Sequence, residues 1–393
     1  MSQKFKILAG IALAAVATVG AQAQQASGGG TATYWMSAET ASGMTAMGQG
    51  GGSHARNLTL QLGTGRRAPG EPTAEHLPPS TLRAGTSLPL VSPLKAPASN
   101  AQTPYSYTGE KPKGRMLFYW GCGDRARPGQ PVVVDFASLS SGKVPPAFAQ
   151  AALKYMTPPS AANNATYGEW PNNKSKTRVP AGGSLVGDHV VRGNYTPEIK
   201  FALAQGQDFL PPVSLVSQNA AASGAVPLSW KPMAPARGWF LSTAGAAENG
   251  DMIMWTSSEK QAAAMMMDYL APDEVARLVA QKVLLPGTAD RCTVPQEVAK
   301  AAPQSMLSMV AFGPEANFSH PARPAKAAAS WKPEWSAKLR TKSTYTGMLG
   351  MDLAEMMSGG DSGGDGDSEE QAPRRKQSKA EKIGRGLGRL LGN

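Results

Sequence analysis

Cysteine is scarce in this chain, which has two, Cys122 and Cys292, among 393 residues. The sequence also lacks the C-x₂-C, H-x-H and H-E-x-x-H spacings that are typical of zinc sites. We therefore expect no metal site and no cofactor. Two cysteines are enough for one disulfide, which would close a loop of roughly 170 residues. In an oxidising compartment we expect Cys122 to pair with Cys292, with two inert buried thiols as the alternative.

Charged residues are also few, at 17% of the chain against an ordinary value of about 25%. Glycine and proline are abundant, with 43 and 32 residues. Few charges combined with many turn formers disfavour a helical bundle and favour turn-rich β structure. We predict a mainly β fold with a small helical part, built as one or two β-sandwich-like domains plus a helical pair.

Long hydrophobic runs are missing after residue 23, where no stretch approaches the ~20 apolar residues of a membrane-spanning helix. The first 23 residues differ, because Lys4 and Lys6 precede a short apolar run that ends in small residues at Ala21 and Ala23. This pattern is typical of a secretory signal peptide cleaved after Ala23, with an uncleaved anchor as the alternative. We predict a bacterial cell-envelope protein that is periplasmic or secreted.

The rest of the chain divides into four stretches by composition. Residues 24–113 are rich in glycine and proline and predict a flexible leader with short strands. Residues 114–222 predict a β domain, and residues 223–357 predict β strands followed by the helical pair. Residues 358–393 are acidic and then basic, which predicts a disordered tail.

Several short runs predict individual strands. Residues 57–63 alternate apolar and polar side chains, as a half-buried strand does. Residues 115–120 and 132–136 are rich in aromatic and β-branched types and are separated by turn formers, so we predict a hairpin with a long loop. Residues 331–344 (WKPEWSAKLRTKST) predict an edge strand or a segment wrapped around the domain.

The pattern changes to helical character at residue 256. Thr256, with Glu259 three residues later, forms a capping-box pattern for a first helix over residues 256–270. Pro272 and two acidic residues then begin a second helix with apolar side chains on one face. Cys292 lies just beyond this helical pair, so the pair could dock on the β domain that carries Cys122.

The run LSWKPMAPARGWFL, residues 228–241, resembles the second and third strands of fibronectin type III domains. A strand ends in Trp230, a proline-bearing turn follows, and the next strand begins with an aromatic residue. The resemblance covers fourteen residues, lacks the other landmarks of that family, and implies a β-sandwich without a function. We expect four tryptophans to be core residues first and a sugar or peptide platform second. They are Trp120, Trp230, Trp239 and Trp255.

No pattern in the sequence identifies a catalysed reaction, and we predict no catalytic residue. GDSGG at residues 360–364 matches the nucleophile motif of trypsin-like proteases, but it lies in a low-complexity acidic tract with no strand before it. We predict a non-enzymatic envelope protein of binding or structural type. Its partner is an envelope component whose identity the sequence does not give.

Two other functions stay open. One is an envelope hydrolase with Cys122 as nucleophile and His189 as base, because a Gly-Cys-Gly turn exposes a thiol. The other is a copper protein, because thioethers bind Cu(I) and the chain has closely spaced methionines. The methionines concerned are Met252, Met254, Met265, Met266, Met267, Met306, Met309, Met348 and Met351.

The basic end of the tail has apolar residues at helical spacing with cations between them. Such a helix can contact anionic lipid or another polyanion. Four glycines weaken it by roughly 1 kcal/mol each relative to alanine. We expect at most a weak contact and no specific nucleic-acid partner. The candidate contact residues are Lys379, Lys382, Arg385 and Arg389.

Overall fold

A computed structural model of the chain describes residues 31–49, 52–93, 114–136, 153–261, 266–328 and 330–351. These residues fall within the first of two units, Met1–Met351, and the second unit is Asp352–Asn393. The predicted signal peptide and tail, with Lys379, Lys382, Arg385 and Arg389, lie outside the described residues. In the described part of the chain, no helix is long and apolar enough to cross a membrane.

Strands dominate the described residues, which confirms the predicted mainly β fold with a small helical part. The strands are β1 (Ala32–Gly43), β2 (His54–Thr64), β3 (Ala74–Leu77), β4 (Leu88–Leu90), β5 (Arg115–Trp120), β6 (Val132–Asp135), β7 (Thr166–Trp170), β8 (Gly187–Gly193), β9 (Ile199–Leu203), β10 (Leu215–Ser217), β11 (Val226–Trp230), β12 (Gly238–Ala246), β13 (Met252–Thr256), β14 (Leu285–Pro286), β15 (Arg291–Val294), β16 (Met306–His320) and β17 (Trp335–Met348). The helices are α1 (Met44–Met47), α2 (Pro272–Ala280) and α3 (Gln296–Ala301), with a 3₁₀ turn at Ser80–Leu82.

The strands form one large sheet and two small ones. The large sheet has the order β6-β5-β13-β12-β16-β17-β1-β2-β7, and β14 also pairs with β12. The small sheets have the orders β4-β3-β8-β9 and β10-β11-β15. In the large sheet, β17 runs antiparallel to β16 and parallel to β1. The predicted hairpin is confirmed, because β5 and β6 pair in antiparallel register.

The two small sheets pack against one face of the large sheet, which we call the front face. The four-stranded sheet covers the first core, which includes Tyr34, Met36, Leu60, Leu62, Leu88, Val191, Ile199 and Leu203. The three-stranded sheet covers the second core, which includes Trp230, Trp239, Leu241, Ile253, Trp255, Val294, Leu307 and Met309. The long strands β16 and β17 contribute to both cores, so two sandwich-like halves share one sheet.

The opposite or back face of the large sheet carries helix α2. Pro272 and the acidic residues that follow it favour a helix start, because proline fits the first turn and acids stabilise the helix N-terminus. Val275 and Leu278 of α2 pack with Phe240 and Phe312 of the sheet in a third core. The predicted second helix is therefore present, and it covers part of the back face.

A β-bulge separates the two halves of the β16 and β17 pair. Gly313 and Pro314 of β16 face Thr341 of β17, and the register shifts there. A Cβ atom at Gly313 would lie 2.2 Å from Thr341 Oγ1 and 3.0 Å from its carbonyl oxygen, so the bulge requires glycine. Beyond the bulge, Glu315 lies directly opposite Arg340 on the back face.

The structure differs from the expectation of a flexible leader at β1, whereas the strand predicted at residues 57–63 is confirmed as part of β2. These strands of 12 and 11 residues lie inside the large sheet, between β17 and β7. Much of β1 is buried on both faces, including the polar Ser37, Thr40 and Ser42. A strand that is covered on both sides needs no apolar-polar alternation, so composition alone indicated a loose segment.

The structure also differs from the expected helix at residues 256–270. Thr256 is the last residue of β13, residues 257–261 and 266–271 are not helical, and residues 262–265 lie outside the described part. Thr256 pairs with Ser242, and the Ser257 amide donates to the Leu241 carbonyl oxygen at 2.9 Å. Sheet pairing therefore takes precedence over the local capping-box pattern.

The structure also differs from the predicted edge strand or wrapped segment at residues 331–344, because most of these residues belong to the interior strand β17. In this strand Lys338, Arg340 and Lys342 alternate with Leu339 and Thr341. Such a row of cations is typical of a solvated strand face. In the structure these cations are largely covered, and their environment forms the candidate site.

Candidate functional site

The predicted disulfide between Cys122 and Cys292 is present. It joins the turn after β5 in the large sheet to β15 in the three-stranded sheet. The Gly121 backbone has φ +93°, a conformation that glycine adopts readily, and its carbonyl oxygen accepts from Trp255 Nε1 at 2.9 Å. The Gly-Cys-Gly turn, which could have exposed a reactive thiol, is therefore joined to a second sheet by a disulfide.

His189 lies in the first core and has no solvent-exposed surface. Its Nε2 is 2.7 Å from the Leu185 carbonyl oxygen, and its Nδ1 is 2.9 Å from His76 Nε2. His76 Nδ1 accepts from the Tyr34 hydroxyl. Burial lowers the pKa of His189 and lowers the pKa of His76 well below its ordinary value. Both rings are therefore neutral, and each carries its proton on Nε2.

The structure does not bring Cys122 and His189 together. Cys122 packs against the second core, whereas the His189 ring stacks on Phe201 of the first core at 5.1 Å. Cys122 is bonded to Cys292, and both ring nitrogens of His189 have partners inside the protein. Neither residue is available for the nucleophile and base roles in this arrangement.

The methionines of the copper hypothesis have different environments. Met309 is fully buried in the second core, and Met266 is fully buried in the third. Met306 and Met348 occupy directly opposed positions on β16 and β17, and Met306 is 44% exposed. The structure thus pairs Met306 with Met348, a partner that its sequence spacing did not suggest.

Three of the four predicted core tryptophans are buried. Trp239 and Trp255 are fully enclosed, and the Trp230 ring lies 5.2 Å from the Trp239 ring. Trp120 is partly exposed and stacks on Phe118. These tryptophans are structural, whereas Trp35, which the sequence did not single out, lies at the candidate site.

The candidate site is a group of polar and aromatic residues on the back face of β1, β16 and β17. Because alternate residues of a strand share one face, Lys338, Arg340 and Lys342 point to the same side of β17. The parallel register of β1 places one residue beside each of them. We call the whole group the Arg340 cluster, and its members are Trp35, Ser37, Glu39, Asp268, Tyr269, Glu315, Lys338, Arg340 and Lys342.

The two lysines at the ends of the cluster have partners. Lys338 Nζ forms an ion pair with Glu315 Oε2 at 2.6 Å. Lys342 Nζ donates to the Met267 carbonyl oxygen at 2.6 Å and is 3.9 Å from Glu39 Oε1. Burial lowers the pKa of Lys342, while Glu39 and Asp268 act in the opposite direction. The lysines therefore fix the two ends of the cluster.

Arg340 occupies the centre and is 6% exposed. Its guanidinium lies 5.0 Å from the Trp35 ring and 4.3 Å from the Tyr269 ring. Its Nε donates to Ser37 Oγ at 2.7 Å, but its buried Nη1 has no hydrogen-bond partner within the described part of the chain. Burial lowers the Arg340 pKa, although an arginine stays charged at neutral pH. The cluster thus holds a desolvated cation with a free donor.

Glu315 has a free hydrogen-bond acceptor, which complements the free donor of Arg340. Its Oε2 bonds to Lys338, while its Oε1 is buried without a partner among the residues described. Three cations, Lys338, Arg340 and Lys342, share the cluster with three acidic residues. These acidic residues are Glu39, Glu315 and Asp268. The cluster therefore has one free donor, one free acceptor and no net formal charge.

One signal for this site is visible in the sequence. Residues 338–342 read KLRTK, which places three cations at strand spacing, but nothing in the sequence indicates that Tyr269 covers them. Comparisons with protein-family models, with curated proteins and with solved structures found no match to this chain.

Proposed function

We propose that this protein is an exported, non-enzymatic binding protein of the bacterial cell envelope and that its ligand occupies the Arg340 cluster. The observation that carries the proposal is the pair of buried, unpartnered atoms Arg340 Nη1 and Glu315 Oε1 among the described residues. Buried polar atoms of folded proteins nearly always have a hydrogen-bond partner. Seven other buried side-chain atoms of the described residues also lack a partner, so the proposal rests on the juxtaposition of a free donor and a free acceptor in one cluster.

Export is supported by two independent features. The first 23 residues have the charge and hydrophobicity pattern of a cleaved signal peptide. Cys122 and Cys292 are joined in a disulfide, a bond that persists mainly in oxidising compartments such as the periplasm. Together they favour a periplasmic or secreted location.

A binding role is favoured over hydrolysis by the state of the candidate catalytic groups. The Cys122 sulfur is covalently bonded to Cys292, so it is not a thiolate. His189 is enclosed in the first core with both ring nitrogens bonded. Neither group can reach a substrate without rearrangement of its core.

Native mass spectrometry of the full chain, expressed in a Gram-negative bacterium and purified from its periplasm, tests this proposal. We expect a mature chain that begins at Gln24, carries one disulfide and retains an additional mass that denaturation releases. An Arg340→Lys variant from the same fraction should lack that mass. A chain that stays in the cytoplasm, or identical native and denatured masses for the exported chain, would contradict the proposal.

Copper binding is a second candidate, favoured by the opposed positions of Met306 and Met348. Thioether sulfurs are ligands for Cu(I), and the exposure of Met306 leaves access for an ion. Anaerobic Cu(I) titration should give about one retained equivalent that the Met306→Leu variant loses. If the unsubstituted protein retains no Cu(I) after desalting, this candidate is wrong.

A further inference from the structure

The two free atoms of the Arg340 cluster differ in hydrogen-bonding character. Arg340 Nη1 can only donate, and Oε1 of the Glu315 carboxylate can only accept. Their residues lie directly opposite each other on β17 and β16. A ligand that satisfies both atoms must accept one hydrogen bond and donate another. A hydroxyl group does both, whereas a carboxylate only accepts and an ammonium only donates.

The charges of the cluster favour a neutral ligand. Its three cations are matched by Glu39, Glu315 and Asp268, so the surrounding protein offers no excess charge to a charged ligand. Moving an ion from water into such an enclosed group costs solvation free energy that unbalanced charges would have to offset. A neutral polar group avoids most of this cost.

The shape of the cluster limits what can reach the free atoms. Rings of Trp35 and Tyr269 flank the guanidinium of Arg340, so its N–H edge is the part left to receive a ligand. Tyr269 is buried, but Trp35 is partly exposed at the rim. Because both free atoms are buried, a small polar group reaches them only when a side chain at the rim moves, and the rest of its molecule would then pack against Trp35, as the C–H face of a sugar ring does on an indole.

From these three observations we infer that the Arg340 cluster binds a neutral sugar or polyol. One hydroxyl accepts from Arg340 Nη1 and donates to Glu315 Oε1. This inference rests on the proposed function, because it names the ligand class of the same site. The disulfide and the histidine pair have no part in it.

Saturation-transfer NMR and calorimetry with the mature full chain test the ligand class. The probes are two matched pairs, glycerol with glycerate and glucose with glucuronate, because the members of each pair differ chiefly in charge. We expect the neutral member of at least one pair to bind, with an affinity at least about tenfold above that of its anionic partner.

The Arg340→Lys variant should lower the affinity for the neutral probe by about tenfold, as the loss of one charge-assisted hydrogen bond predicts. The control is Arg192→Lys, an exposed arginine paired with Glu75 in the four-stranded sheet, which should leave the affinity unchanged. Trp35→Leu, at the partly exposed rim, should also weaken binding. It supplies a second test if the Arg340 variant does not fold.

Tighter binding of glycerate or glucuronate, or equal binding by the unsubstituted protein and both site variants, would overturn the inference. If none of the four probes binds but the periplasmic protein retains a mass that depends on Arg340, the ligand class is wrong and the proposed function stands. If no probe binds and no mass is retained, both are wrong.

Discussion

Glu315 lies directly opposite Arg340 in the register of β16 and β17, yet its ion pair is with Lys338, two residues before Arg340 on β17. The diagonal pairing leaves Glu315 Oε1 and Arg340 Nη1 buried without partners among the described residues. The bulge at Gly313 sets this relationship, because it determines which residue of β16 faces Arg340. The geometry of the candidate site therefore depends on one backbone irregularity.

Replacing Gly313 with alanine should disrupt this part of the sheet. The new Cβ would lie 2.2 Å from Thr341 Oγ1, 2.9 Å from Leu210 Cδ1 and 3.0 Å from the Thr341 carbonyl oxygen, so these two side chains must shift in a crowded part of the sheet. We expect unfolding in urea to show a loss of about 2–3 kcal/mol. Gly48→Ala is the control, because its nearest atoms are 3.8 Å away. A loss at Gly313 no larger than at Gly48 would show that the bulge tolerates a side chain.

Glu315→Leu should destabilise the protein because it leaves the largely buried Lys338 ammonium without its carboxylate. Lys338 is 21% exposed, so partial solvation reduces the loss to about 2 kcal/mol. Adding Lys338→Met should recover much of that loss. A double-mutant cycle measured by urea unfolding gives the coupling, which should be about 1–2 kcal/mol. The exposed pair of Arg192 and Glu75 should give less than about 0.5 kcal/mol in the same cycle.

Stability should fall as pH decreases below about 6.5. Burial lowers the pKa values of His76 and His189 in the folded protein, so the unfolded chain takes up protons first as pH falls. Their contribution is complete above about pH 6.5 and decreases by up to about 1.4 kcal/mol per pH unit for each histidine until its folded-state pKa is reached. Denaturant unfolding at pH 7.5, 6 and 5 measures this slope.

A free energy of unfolding that stays constant between pH 7 and 5 would show that the buried histidines do not act as described.

Removing the disulfide should destabilise the fold without abolishing the sheets. The bridge constrains a sequence separation of 170 residues, for which measured effects of native disulfides suggest a loss of about 2–5 kcal/mol. The Cys122→Ala, Cys292→Ala double variant and the reduced protein should show similar losses in urea. Thiol titration of the unfolded, unreduced protein should find no free thiol. Two reactive thiols would show that Cys122 and Cys292 do not form a disulfide.

The sequence predicted those parts of the fold in which local pattern and final environment agree. Strand β2 alternates as a half-buried strand does, and the hairpin of β5 and β6 is bounded by turn formers. Helix α2 begins with proline and acidic residues. In each case the residues that indicate the strand, turn or helix are neighbours along the chain.

The parts of the fold and of the candidate site that the sequence did not predict depend on packing between distant segments of the chain. The polar residues Ser37 and Thr40 of β1 gave no strand signal, because their burial comes from both sides of an interior strand. The row of cations in β17, Lys338, Arg340 and Lys342, is typical of a solvated strand face. The neighbouring residues in the sequence do not show that Tyr269 and Met267 cover this row. The unpartnered atoms of Arg340 and Glu315 follow from the bulge and from diagonal pairing, which the sequence alone did not indicate.

A high-resolution crystal structure of the mature protein tests the central claim most directly. Crystals would be grown without glycerol and then soaked with the neutral probe that binds in solution. We predict density for a ligand hydroxyl within hydrogen-bond distance of both Arg340 Nη1 and Glu315 Oε1, with the remainder of the ligand beside Trp35. A single water that bridges these two atoms in soaked and unsoaked crystals alike would contradict the claim that this cluster is a binding site.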